Sequence, residues 1–112
     1  TWLVPCLHCQ SKLTVDHRGE PHGPATLEHI VPRSWFGKGA ARELTGRVGA
    51  PDAALNLAAA CARCNQQKGK THDAHGPADA RAREVVARLL DRRAARWCQA
   101  STGVDVTDGE SA

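Results

Sequence analysis

Large apolar side chains are scarce in this chain of 112 residues, which has no Met, no Tyr and a single Phe. A domain of this length buries a modest share of its surface, and such domains often depend on a metal or disulfides for stability. The chain also lacks any apolar run near the roughly 20 residues that a membrane-crossing helix needs. We therefore expect no membrane partner, and the five cysteines become the first candidates for stabilising a small core.

A secretory signal is missing as well, because the first residues combine no charged segment with a following apolar one. Cysteine pairs with zinc-type spacing and no such signal are typical of a reducing compartment. We expect the chain in the cytoplasm. It opens on Thr1 rather than Met, which leaves open that it is a fragment of a longer protein.

The charge is divided unevenly along the chain. The formal net charge is +3, and the last fourteen residues hold three acids and no base, so residues 1–98 carry +6. A basic body suits a polyanionic partner such as DNA, although a merely solvated surface would look the same. We predict one domain over residues 1–98 and a disordered acidic tail over residues 99–112.

Four of the cysteines form two Cys-x-x-Cys pairs with 51 residues between them. Two residues between cysteines allow both thiolates to bind one ion, and two such pairs complete a closed tetrahedral zinc site. We predict that this structural zinc is held by Cys6, Cys9, Cys61 and Cys64. Disulfides or free thiols are the alternative. Four thiolates suffice, so we expect neither His8 nor Cys98 to be a ligand.

A candidate catalytic pair, Glu28 and His29, lies between the two cysteine pairs and shortly before Pro32. Adjacent strand residues normally point to opposite faces, but twist at a strand end could bring both to one site. Histidine can accept a proton from water near neutral pH. The carboxylate of Glu28 can hold a hard divalent cation that neutralises charge on a phosphate.

Two asparagines extend this constellation. Asn65 follows the second cysteine pair at the predicted start of a helix, where its amide oxygen could be a second metal ligand, and Asn56 could brace the loop that carries His29. We expect phosphate contacts from nearby basic residues, namely Arg63, Lys68 and Lys70. His72 or His75 is an alternative extra metal ligand.

The secondary structure is predicted from periodicity and from Gly and Pro positions. Strands are expected at Lys12–Val15 and Ala25–Val31, with a strand or extended segment at Ala54–Ala60. Helices are expected near Ala40–Leu44 within an irregular loop, at Asn65–Lys70 and, as the long C-terminal helix, at Ala78–Trp97. The long helix should bury a stripe that includes Val85, Val86, Leu89, Leu90, Ala94 and Trp97 and should expose Arg81, Arg88, Arg92 and Arg96.

The ordered motifs Cys-x-x-Cys, Glu-His-Ile-x-Pro, Asn-Leu and Cys-x-x-Cys-Asn-x-x-Lys resemble the zinc-knuckle branch of the HNH endonucleases, over about Cys6–Lys70. The resemblance implies a small α+β fold with a ββα-metal core. It also implies that His29 is the general base, that Asn56 orients it, and that Glu28 and Asn65 bind metal. The implied activity is hydrolysis of DNA phosphodiester bonds, one strand at a time. A double-strand cut would need a dimer, a further domain or two events.

The chain departs from the family pattern in two residues and one spacing. Glu28 stands where the family often has Asp, Asn65 stands in place of His, and the stretch between His29 and Asn56 is long. Two oxygen ligands favour Mg²⁺ or Mn²⁺ as the catalytic metal. The competing functions are a catalytically silent zinc module that binds nucleic acid and, less favoured, a protein-interaction zinc finger.

Overall fold

In a computed structural model, the described residues form a small α+β fold with three α-helices and two small sheets. The structure describes residues 2–18 and 20–102, with side chains described up to residue 96. The strands are β1 (Trp2–Pro5), β2 (Lys12–Val15), β3 (Pro21–His22), β4 (Ala25–His29) and β5 (Leu57–Cys61). The helices are α1 (Arg42–Val48), α2 (Ala62–Thr71) and α3 (Ala80–Thr102). None of the described helices is both long enough and apolar enough to cross a membrane.

The first three strands form one sheet, and the last two strands form the other. The antiparallel sheet β1-β2-β3 carries the first cysteine pair in the turn between β1 and β2. The second sheet is the antiparallel pair β4–β5, and β5 runs directly into α2. The first sheet includes two strands that were not predicted from the sequence, β1 and β3. Each is short and, among the described strands, pairs only with β2, so its own residues give little sign of a strand.

Most predicted elements are present with shifted ends. The strand expected at Ala25–Val31 ends at His29, because the backbone N–H groups of Ile30 and Val31 donate to the carbonyl and the side chain of Asn56 instead of to a strand. The segment expected as a strand at Ala54–Ala60 starts as a 3₁₀ turn, and its strand is Leu57–Cys61.

The helices also differ from the prediction at their ends. The loop helix is Arg42–Val48 and ends at Gly49, whose φ of 91° requires glycine-like freedom. The second helix begins inside the cysteine pair, at Ala62, rather than at Asn65. The long helix starts at Ala80 because the Asp79 carboxylate accepts the Ala82 N–H at 2.9 Å, as an N-cap does.

The predicted tail begins too early. Helix α3 continues through Thr102, so residues 99–102 are helical rather than part of a disordered tail, and helix-compatible Gln99 and Ala100 allow the continuation. Residues 103–112 lie outside the described residues, as do the side chains of Trp97 and Cys98.

Two apolar clusters hold the fold. The larger one packs the predicted stripe of α3 (Val86, Leu89 and Leu90) against the loop after β4, where Trp35 is 1% exposed. The smaller one contains Cys6, Leu13, Ala25 and Ala60 beside the other cysteines. The hydrophobic effect at these few residues is modest in total, which is consistent with a fold that uses an additional crosslink.

The arginines of α3 do not all face solvent. Arg81 and Arg88 pair with Glu84 on the exposed side, as predicted. Arg92 is exposed as well, although it donates to the carbonyl oxygen of Leu7 at 2.6 Å, whereas Arg96 is half-buried and donates to the Gln10 side chain at 2.7 Å. These two side chains tie the first cysteine turn to α3, Arg92 through a backbone carbonyl and Arg96 through the amide oxygen of Gln10.

Candidate functional site

The hairpin of β4 and β5 carries candidate residues at both of its ends. Ala25 pairs with Cys61 at one end, which we call the cysteine end, and His29 pairs with Leu57 at the other, which we call the histidine end. Helix α2 lies across the hairpin and contacts both strands. One short element therefore connects two groups of polar side chains.

The four cysteines of the predicted zinc site converge at the cysteine end. The Sγ atoms of Cys6, Cys9, Cys61 and Cys64 all lie within 4.8 Å of one another. The Cys9 and Cys61 sulfurs are 4.0 Å apart, and a tetrahedral zinc with bonds of about 2.3 Å separates its sulfurs by about 3.8 Å. All four are free thiols, not disulfides. The cluster could therefore hold a metal such as zinc.

The four thiols have different surroundings, and these shift the pKa values of Cys9 and Cys64 in opposite directions. A hydrogen bond from the Ser11 hydroxyl lowers the pKa of Cys9 to about 6, whereas desolvation raises the pKa of Cys64 to about 12. The buried sulfur of Cys6 accepts the backbone N–H groups of His8 at 3.4 Å and Cys61 at 3.3 Å. Because zinc binds thiolates, metal binding has to remove the proton that Cys64 otherwise retains.

Glu28 is buried at the histidine end, on the face of β4 that α2 covers. Its side chain is 0% exposed, and its Oε1 accepts a hydrogen bond of 2.6 Å from Nε2 of His8. Its Oε2 is buried and has no hydrogen-bond partner among the described residues. An unsatisfied buried carboxylate oxygen is costly, so this atom fits a site that a cation completes.

Lys68 lies beside Glu28 in the interior rather than on the surface. Its side chain is 2% exposed, and its Nζ donates to both carboxylate oxygens of Asp73 at 2.8 and 2.9 Å and to the carbonyl of His29 at 3.2 Å. The distance from Nζ to Glu28 Oε2 is 3.7 Å. Lys68 therefore has no exposed ammonium for the phosphate contact that the sequence predicts. Its ammonium binds acceptors in the interior instead.

His29 follows Glu28 on β4 and has a different partner. Its Nε2 is 2.7 Å from Oδ1 of Asp52, which also accepts a 2.8 Å hydrogen bond from Arg33. These two partners lower the pKa of Asp52, the hydrogen bond from His29 contributing most. An ionised Asp52 accepts a hydrogen bond from the Nε2–H group, so that in the neutral imidazole Nδ1 is the ring nitrogen with the lone pair. The side chain of His29 is 31% exposed.

Asn56 is fully buried and holds the chain segment that follows His29. Its Oδ1 accepts the Val31 N–H at 2.7 Å, and its Nδ2 donates to the carbonyls of Val31 at 3.1 Å and Pro51 at 2.9 Å. The backbone carbonyl of Asn56 accepts the Ile30 N–H at 2.8 Å. This single side chain thus links the end of β4 to the loop that carries Asp52.

Asn65 lies in the first turns of α2 and faces β4. Its Nδ2 donates to the Thr26 hydroxyl at 3.1 Å. Thr26 and Glu28 are two residues apart on one strand and therefore share a face. Asn65 and Glu28 therefore lie on the same side of the hairpin, whereas the ring of His29 contacts Asp52.

The exposed basic residues of α2 border two open pockets. Arg63 lines both, and Lys70 lines the smaller one together with Gln66, Gln67 and Thr71. The larger pocket, about 430 Å³, is lined by His8, Arg63, Cys64, Gln67, Lys68, Thr71, His72 and Val85. Neither His72 nor His75 joins the metal-ligand cluster found among the described residues.

Three residues that contact the predicted site residues were not predicted from the sequence. His8 was set aside because four thiolates complete a zinc site, yet it reaches Glu28 from within the first cysteine turn. Asp52 lies in a glycine-containing loop with no motif spacing, and Asp73 is five residues after Lys68, beyond the end of α2. An acid near the end of a helix that contains a lysine is a weak signal for such an ion pair, and the other two contacts have no signal in the sequence.

Comparisons of the chain with protein-family models, with curated proteins and with solved structures found no match.

Proposed function

We propose that this chain is a metal-dependent endonuclease of the HNH type, with a ββα-metal core formed by β4, β5 and α2. The observation that carries the proposal is the histidine end of the hairpin. There a buried carboxylate with an unsatisfied oxygen directly precedes a half-exposed histidine whose ring is held by an aspartate. A buried carboxylate oxygen without a hydrogen-bond partner is costly to the fold, which favours a role beyond that of a merely structural zinc module.

His29 is proposed as the general base. Asp52 accepts a hydrogen bond from Nε2–H, so Nδ1 of the partly exposed ring can take a proton from water. Asn56 fixes the backbone on the C-terminal side of His29 through Val31, and so limits movement of the imidazole. The Asp52 loop is bound to the same asparagine through Pro51.

Glu28 and Asn65 would hold the divalent metal, Mg²⁺ or Mn²⁺, because both face the same side of the hairpin. When bound, such a cation neutralises charge on the phosphate and stabilises the leaving oxygen. Arg63 and Lys70 are exposed on α2 and supply charge for the DNA backbone, so binding should weaken as salt is raised. The zinc at the cysteine end is proposed to be structural.

One observation favours the second candidate, a catalytically silent zinc module that binds nucleic acid. The carboxylate of Glu28 is already enclosed by His8 and Lys68, as a buried structural carboxylate would be. The two candidates differ in the cleavage of DNA, not in its binding.

The test compares binding and cleavage in one preparation. Zinc-loaded protein is incubated with supercoiled plasmid, with Mn²⁺, with Mg²⁺ and without added metal, and a gel-shift assay with duplex DNA is run in parallel. The nuclease proposal predicts nicked circles that need added metal and that EDTA suppresses. Folded, zinc-loaded protein that shifts duplex DNA but leaves the plasmid supercoiled under every metal condition would identify the silent module instead.

A further inference from the structure

The contact between His8 and Glu28 connects the two ends of the hairpin. His8 belongs to the turn that carries Cys6 and Cys9, yet its Nε2 lies 2.6 Å from Oε1 of Glu28. Its backbone N–H donates to the Cys6 sulfur, and Arg92 of α3 binds the carbonyl of the preceding Leu7. A histidine side chain is thereby held in place from the cysteine end and directed at the buried carboxylate.

The second oxygen of Glu28 is the unexplained atom in this group. The side chain is fully buried and Oε2 has no hydrogen-bond partner among the described residues. Lys68 is the adjacent cation, but its Nζ donates at 2.8 to 3.2 Å to Asp73 and to the carbonyl of His29 and stays 3.7 Å from Oε2. The ammonium therefore gives its hydrogen bonds to other acceptors, and its contact with Oε2 is an ion pair at 3.7 Å without a hydrogen bond.

We propose that His8 is a protein ligand of the divalent metal held by Glu28: the proton that Nε2 directs at Oε1 would be exchanged through solvent for one on Nδ1, so that the lone pair of Nε2 is free for the cation. The inference rests on the proposed function for the existence of that metal. Imidazole nitrogen and carboxylate oxygen are a frequent pair of ligands for divalent first-row metals. His8 is 20% exposed and lines the open pocket of about 430 Å³, so its ring faces both the carboxylate and a route from solvent.

A nitrogen ligand changes the metal that the site prefers. Carboxylate and amide oxygens alone suit Mg²⁺, whereas an added imidazole favours Mn²⁺ and the later divalent metals over Mg²⁺. The site would also depend on zinc at the cysteine end, because the turn that binds zinc carries His8. Metal binding at the histidine end is then coupled to the integrity of the cysteine end.

The experiment uses Mn²⁺ bound to the zinc-loaded full chain. Isothermal calorimetry gives the affinity, and electron spin-echo modulation reports whether an imidazole nitrogen is coordinated to the manganese. The parent is compared with His8→Ala and with His17→Ala, an exposed turn histidine that serves as the matched control. Circular dichroism and zinc content establish that each variant is folded.

The proposal predicts imidazole nitrogen modulation in the parent and in His17→Ala, its loss in His8→Ala, and an affinity for Mn²⁺ at least tenfold weaker in His8→Ala. Absence of Mn²⁺ binding, absence of nitrogen modulation in the parent, or persistence of the modulation in His8→Ala would overturn it. If His8→Ala does not fold, His8→Gln replaces it, with the same loss of nitrogen modulation expected.

Plasmid nicking by the same samples separates this inference from the proposed function. Nitrogen modulation that requires His8 in a protein that never nicks DNA would leave the metal site intact and reject the nuclease. Nicking by a protein whose bound Mn²⁺ shows no nitrogen modulation would support the nuclease and reject His8 as a ligand.

Discussion

The two ends of the β4–β5 hairpin are organised on different principles. At the cysteine end, four identical ligand types from two short motifs meet around one point. At the histidine end, each polar side chain has its own partner: Glu28 meets His8, His29 meets Asp52, and Asn56 binds the backbone of Val31. The first arrangement could hold one metal ion, and the second is a network in which the position of each side chain depends on several distant parts of the chain.

The two ends should therefore respond differently when a single side chain is removed. A four-ligand site fails as a unit, because removal of one thiolate leaves an incomplete tetrahedron. A hydrogen-bonded network loses its members one at a time, and each loss has a separate cost. The following substitutions are ordered by the size of the expected effect.

Loss of one zinc ligand should have the largest effect. Cys9 is exposed, so Cys9→Ser removes a ligand without leaving a cavity. We expect the chain to lose its bound zinc and most of its folded structure, because zinc binding contributes directly to folding in small domains of this kind. Circular dichroism and metal analysis measure the effect.

Cys98→Ser is the matched control, since we predict that Cys98 is not a ligand. Cys9→Ser with parental helicity and one zinc per chain would contradict the assignment of the cysteine end. Loss of zinc from Cys98→Ser would contradict the ligand set.

Lys68→Met should cost about 3–5 kcal/mol in free energy of unfolding, because it leaves the buried carboxylate of Glu28 and the partly buried carboxylate of Asp73 without a cation. Burial already raises the pKa of Asp73, and Lys68 opposes that rise. Removal of the ammonium should raise this pKa further, so the deficit should shrink at acid pH, where the carboxyl group is protonated in parent and variant. Urea unfolding at several pH values tests this, with Lys70→Met, an exposed lysine on the same helix, as the control.

An equal loss of unfolding free energy in Lys68→Met and Lys70→Met would mean that the interior ion pair adds nothing to stability. A deficit that grows in acid would contradict the sign of the argument.

Asn56→Ala should lower the free energy of unfolding by roughly 2–3 kcal/mol, because it leaves buried backbone groups of Val31 and Pro51 without partners. Asn65→Ala removes one part-buried hydrogen bond to Thr26 and should cost roughly 1 kcal/mol or less. Urea unfolding of the two variants gives the comparison. A larger loss in Asn65→Ala than in Asn56→Ala would reverse the assigned roles of brace and candidate ligand.

Asp79→Ala should have the smallest effect and should leave both ends of the hairpin unchanged. The Ala82 N–H lowers the pKa of Asp79 at the start of α3. A carboxyl group with a lowered folded-state pKa stabilises the fold above its unfolded-state pKa, and this contribution is lost as the pH falls through the folded-state value. Thermal midpoints should therefore be slightly lower for the variant near neutral pH and should converge with the parent in acid. A difference that widens in acid would contradict the capping role.

The cysteine end was predictable because residue identity and local spacing specify it. Two Cys-x-x-Cys turns have few other uses, and the structure confirms that their sulfurs come together. The periodic residues of α3 likewise predicted its buried stripe, since periodicity in a long helix reports burial directly.

The histidine end could be predicted only in part. The motif residues pointed to the end of a strand, but the partners of Glu28 and His29 come from residues 8 and 52, which spacing does not connect to them. The burial of Lys68 was missed because a lysine on a short polar helix is usually exposed. The strand end at His29 was misplaced because a side chain, that of Asn56, replaces strand hydrogen bonds there.

The most direct test of the account is Mn²⁺-dependent nicking of supercoiled plasmid by the parent and by His29→Ala, each shown to carry one zinc per chain. His29 is partly exposed and lies outside the cysteine cluster, so the variant should keep its zinc and its thermal midpoint. If His29 is the general base, the nicking rate of His29→Ala should be about 10²–10⁴-fold below that of the parent. Nicking at the parental rate by zinc-loaded His29→Ala would contradict the central claim.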